Sequence, residues 1–207
     1  MRANRTITLL SKGISLLCHP VIMTLWATII VVYCNATSVK FVPTLKPFVV
    51  WSVAGMTVVV PTLFWALLHC LSHRNRVQRS PSRTKVMMLF ACGLSILGCG
   101  AVFAKFMMLF VVRKVLYTAA VVVAMLLIME FIWPLDHYSV SIGALLGIEW
   151  TLLYVGNVGL LYPFIGTIVV AGLLCSARHI VGRLSAPHIY AGAAGGLIVG
   201  LTTFILL

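Results

Sequence analysis

Acidic side chains are scarce here: three, against 15 Lys and Arg in 207 residues. Two of them, Glu130 and Glu149, fall inside long apolar runs. An ionised carboxylate is costly to bury in such surroundings, so each is a candidate proton relay or ion ligand. The structural alternative is a carboxyl held neutral or paired with a basic side chain. Three polar stretches interrupt the apolar runs. Residues 73–85, HRNRVQRSPSRTK, hold five bases in thirteen positions. They suit a topology determinant touching lipid phosphates, or a phosphate-binding lip in which Arg forks match phosphate oxygens in pairs. Residues 136–141, DHYSVS, add Asp136, His137, Tyr138 and Ser139, and residues 176–190 add Arg178, His179, Arg183 and His188. Cys18-His19 and His69-Cys70 are a further set, suited by type to zinc or haem. Adjacent helical residues point about 100° apart, which works against both members of a pair facing one ion. No metal and no other cofactor is expected.

The elements that must position these residues are membrane helices. Apolar residues make up 62% of the chain and charged residues 9%, against about 45–50% and about a quarter in soluble domains. A chain of this length has too little interior to hide so much apolar surface from water. Backbone in hydrocarbon must pair its own N–H and C=O groups, which leaves helices or a closed barrel. The apolar runs are longer than barrel strands and do not alternate in polarity. The expected fold is all-α, a polytopic transmembrane helical bundle of six to seven spans forming a single integral membrane domain over 1–207. Candidate spans run near 14–34, 47–71, 86–104, 115–133, 139–156, 160–177 and 189–207. The run after Arg2, Arg5 and Lys12 starts like a signal peptide, but it is too long and lacks a small-x-small cleavage pattern. The six cysteines lie mostly inside apolar runs without CxxC spacing and read as small hydrophobes.

With seven spans, the three polar stretches share one side of the bundle. That side carries ten Lys and Arg and the other carries five. The excess of bases places it, and the N-terminus, in the cytoplasm. A bacterial inner membrane is the expected setting. The net charge of +12 then reflects anionic headgroups and topology, not nucleic acid. Gly192, Gly196 and Gly200 form a small-xxx-small stripe, and Gly143 with Gly147 and Gly172 with Ser176 repeat its spacing. Such stripes let a second helix come close, either one of the same chain or one across a homodimer seam.

In the order basic loop, two spans, polar turn with His, two spans, Ser-Ala-Arg loop and last span, the chain resembles the type 2 phosphatidic acid phosphatase superfamily. It looks most like a small membrane branch found in Bacteroidetes. The matching features are His19-Pro20, Pro61, Arg76 and Arg79 with Pro81, Trp133, Ser141 to Gly147, and Ser176-Ala-Arg178 followed by Gly182 and Ala191-Gly192. The resemblance implies a metal-free phosphate-ester chemistry, with a nucleophilic His, a second His as general acid, and Arg and Lys side chains clamping phosphate. It implies phosphate contacts for Arg76, Arg79, Arg178, Arg183 and Ser139. Departures are concentrated where the chemistry should be. The nucleophile position, six residues after Arg178, is Leu184, and Tyr138 stands where the acid His belongs, with His137 one residue early. Leucine cannot attack phosphorus.

The expected function is therefore a phosphatase-fold membrane protein with a degenerate site, binding a phosphorylated lipid or another anionic membrane lipid. One alternative is an active lipid-phosphate phosphatase using a displaced His188 with His137 as acid. Another is a small proton- or ion-coupled transporter working through Glu130 and Glu149.

Overall fold

The structure, a computed structural model, describes Gly13 and residues 19–34, 43–75, 81–106, 109–133, 135–181 and 185–207. Within these residues the regular structure is entirely helical. Helix α1 runs over Pro20–Tyr33, with His19 as its N-cap and Pro20 in the first turn, where a missing N–H costs nothing. Helix α2, Leu45–Ala54, continues through a π-helical turn, Gly55–Val59, into α3, Val60–Asn75. Pro61 explains the turn: its ring removes one intrahelical donor and crowds the carbonyl one turn back. The Met56 carbonyl in that turn accepts a hydrogen bond from Ser95 Oγ of the next helix.

Helices α4, Pro81–Phe103, and α5, Phe110–Ile132, form an antiparallel hairpin. Gly93 faces Val123 and Gly100 faces the Tyr117 ring, which fixes its register. Helix α6 spans His137–Tyr154, the short 3₁₀ turn Val158–Leu160 follows, and α7, Leu161–Val181, returns antiparallel to it. Helix α8, Ala186–Leu206, then runs parallel to α6 and makes the most extensive helix–helix contact of the fold with it.

Glycine makes that contact. An added Cβ on Gly196 would collide with the Val140 carbonyl, and one on Gly200 would come within 2.5 Å of the Ala144 carbonyl oxygen. From the other side, Gly147 would meet the Leu197 carbonyl oxygen at 2.5 Å. The stripe Gly192, Gly196, Gly200 is thus filled by α6 of the same chain. Gly172 is different: an added Cβ there meets nothing within 4 Å, and Ser176 Oγ only returns to the Gly172 carbonyl. The sequence spacing is the same, but among the described residues the Gly192 stripe faces a neighbouring helix and Gly172 does not.

Among the described residues, five helices are long and apolar enough to cross a membrane: Leu45–Phe64, Val86–Phe103, Phe110–Ile132, Val158–His179 and Ala186–Leu206. Helix α1 is a shorter apolar helix. Helix α6 is the most enclosed: Glu149, Thr151, Ser139 and Ser141 are buried on it beside its apolar residues. The outside is the reverse, with Trp51 76% and Phe131 77% exposed among many large apolar side chains. Apolar outside and polar within is the arrangement hydrocarbon selects, and the chain is a multi-pass membrane protein.

Candidate functional site

The polar end of the bundle is assembled from helix termini. Helix α5 stops at Ile132, and the chain turns through Trp133 and Leu135 to Asp136, the N-cap of α6. An Asp in that position accepts from the backbone N–H groups that open a helix and is favoured by the helix dipole. Here its Oδ2 accepts from Ser139 N at 3.1 Å and Ser139 Oγ at 2.8 Å. The other oxygen, Oδ1, accepts from Arg178 Nε at 2.9 Å and from one terminal nitrogen of the same guanidinium. Arg178 lies in the last turn of α7, where the dipole favours a cation. Two antiparallel helices therefore bring a capping acid and a terminal base together, the acid buried and the base partly so. The guanidinium also lies over the Tyr138 ring, 4.6 Å from its centroid, and His19 meets that ring edge-on at 6.0 Å.

Around this pair stand three more of the residues singled out in the sequence. Glu130 is in the last turn of α5, with Oε2 3.4 Å from His137 Nε2. It therefore belongs to the polar end and not to the middle of a span. His188 sits in the first turn of α8, where Ser185 Oγ and His188 Nδ1 are 2.6 Å apart. Trp133 packs edge-on against the same imidazole at 5.3 Å. The structure thus gathers His137, His188, Arg178, Ser139 and Glu130 at one end. It spends the Ser139 hydroxyl on Asp136 and the His188 Nδ1 on its own helix turn. Arg76, Arg79, Arg183 and Leu184 lie outside the described residues, as do Cys18 and the side chain of His69. Among the described residues no group of three or more His, Cys, Asp or Glu is gathered that could hold a metal ion.

Glu149 is separate. It is thirteen positions along α6 from Asp136, roughly 20 Å at the helical rise. It is 1% exposed, and its Oε1 lies 3.0 Å from Thr167 Oγ1 of α7. That same Oγ1 lies 3.0 Å from the Pro163 carbonyl, and Glu149 Oε2 is buried with no hydrogen-bond partner among the described residues.

Sequence reasoning placed Asp136 in a polar stretch but gave it no role, although it is the centre of the site. A signal was present. Asp followed three residues later by Ser, just ahead of an apolar run, is an N-cap pattern. Thr167 as the partner of Glu149 left no such mark. Comparison of this chain with protein-family models, with curated proteins and with solved structures gave no match in any of the three.

Proposed function

We propose that this chain is a multi-pass protein of a bacterial inner membrane that binds the phosphate of an anionic lipid at its polar end and does not hydrolyse it. The observation that carries this reading is the Arg178 fork, held over Tyr138 and already bonded through two nitrogens to a carboxylate. A planar guanidinium fixed in this way suits the paired oxygens of a phosphate as well as those of a carboxylate. Asp136 then acts as a stand-in anion that a phosphate displaces or joins. The resemblance to type 2 phosphatidic acid phosphatases supports the same end of the bundle. The absence of turnover follows from Leu184 at the nucleophile position and from a His188 tied to Ser185. In this reading the chain crosses the membrane seven times, its N-terminus is cytoplasmic, and the basic stretch 73–85 contributes Arg76 and Arg79 to the phosphate lip.

The test uses the purified, detergent-solubilised protein with phosphatidic acid. Native mass spectra are expected to show wild-type protein retaining phosphatidic acid over phosphatidylcholine, with retention lost in Arg178→Gln. No inorganic phosphate is expected to appear. Phosphate release that His188→Ala abolishes would make the chain an enzyme with a relocated nucleophile. Equal retention of both lipids by wild type and Arg178→Gln would remove the binding reading altogether.

A further inference from the structure

We infer that Glu149 is a proton-binding site in the interior of the bundle, a neutral carboxylic acid whose proton exchanges with water. It lies apart from the Arg178 end and does not depend on what that end binds.

Thr167 Oγ1 carries one hydrogen, yet it stands 3.0 Å from two oxygens, Glu149 Oε1 and the Pro163 carbonyl. A Thr in this helical position ordinarily donates to the carbonyl four residues back, as Thr24, Thr28, Thr57 and Thr151 do here. If Thr167 does the same, nothing donates to Glu149. An ionised carboxylate would then be buried facing a lone pair, with its second oxygen unpartnered. Burying a charge that way costs far more than burying a neutral acid. A proton on Oε1 resolves both contacts: Glu149 donates to Thr167 Oγ1, and Thr167 donates to the Pro163 carbonyl. The unpartnered Oε2 becomes the carbonyl oxygen of an acid, the cheaper atom to leave unpaired.

The charged and titratable groups nearest this site do not supply a counter-ion. Cys34, at the end of α1, carries no permanent charge, and its carbonyl oxygen backs onto Gly159. Lys46 lies over the Tyr33 ring at 5.7 Å. Lys114 of α5 lies over Phe110 and Phe204, at 4.9 and 5.7 Å. Glu149 has no ion pair with any of them among the described residues. Its nearest helix end is the one carrying Cys34 and Gly159, which is the shorter route for an exchanging proton.

Because the chain holds only three acidic side chains, infrared spectroscopy can read this one directly. The full-length protein in detergent or liposomes at neutral pH is expected to show a carboxylic-acid C=O stretch above the amide band. It should move to lower frequency on transfer to D2O and be missing from Glu149→Gln. In Thr167→Val the band should persist but move to higher frequency, since the acid loses its acceptor. That second variant answers the question even where Glu149→Gln folds poorly. A wild-type spectrum without such a band, one unchanged by either substitution, or one insensitive to D2O would each overturn the inference.

Discussion

At the scale of single residues, the largely buried pair Asp136–Arg178 ties the start of α6 to the end of α7. Removing one partner of such a pair strands the other charge in a place it cannot hydrate, at a typical cost of about 3–5 kcal/mol. Arg178→Ala and Asp136→Ala are each expected to lower stability on that order, with the double variant well short of the sum. Asp136→Asn separates the two jobs of the residue. An amide oxygen still caps α6 and accepts from Ser139, while the charge facing Arg178 is gone. Asp136→Asn should therefore unfold at a temperature between wild type and Asp136→Ala, measured by thermal denaturation in one detergent. If Asp136→Asn is as damaged as Asp136→Ala, the charge and not the cap holds this junction. If it matches wild type, the ion pair contributes nothing.

Between elements, the decisive contact is the parallel packing of α6 on α8 through glycine. Gly196→Ala drives a methyl into the Val140 carbonyl, and backbone cannot step aside as a side chain can. The expected result is a strong loss of stability, of the several kcal/mol that overpacking reaches at its upper end. Gly172→Ala meets nothing within 4 Å. It should be neutral or stabilise α7 by up to about 1 kcal/mol, the helix-propensity difference between the two residues. Thermal unfolding of the two single variants side by side checks both. Much at this scale was legible in the sequence: the apolar runs named the helices, and their observed ends fall within a few residues of the expected ones. The Gly192 stripe was legible as a close-packing surface because its spacing is a property of one helix. Which helix fills it was not, since nothing in a glycine names its neighbour. For the same reason the Gly172 spacing could not tell that no helix among the described residues packs on it. Asp136 with Arg178 and Glu149 with Thr167 were out of reach because each pair joins positions far apart in sequence. Pro61 enters the sequence reading only as a feature of the family resemblance, and neither the π-helical turn before it nor the bond from Ser95 of α4 to the Met56 carbonyl was foreseen.

For the whole molecule, the arrangement of ends predicts how the protein sits in a bilayer. Helices α6 and α8 are parallel with α7 between them in sequence, so the turns at Gly156 and at Ser185 lie at opposite ends of the bundle. The end with Ser185 also holds Arg178, His137 and the start of α1, and in the proposed orientation, drawn from the excess of bases, that end faces the cytoplasm. Helix α6 is not among the helices apolar enough by composition to cross a membrane, because Glu149, His137 and its Ser and Thr residues reduce its apolar character. It is covered by neighbours for that reason, and the spans around it carry the cost of contact with lipid. Single cysteines at positions 156 and 185, in a background with the six native cysteines replaced, test this arrangement. In intact cells a membrane-impermeant maleimide should label Gly156→Cys, while Ser185→Cys should react only after permeabilisation. The reverse pattern would keep the fold and invert its orientation, which moves the polar end and the proposed phosphate site to the outer face. Labelling of both from the same side would mean that α6, α7 and α8 do not cross the bilayer as three successive spans. The buried Glu149 would then need another explanation than isolation within a membrane bundle.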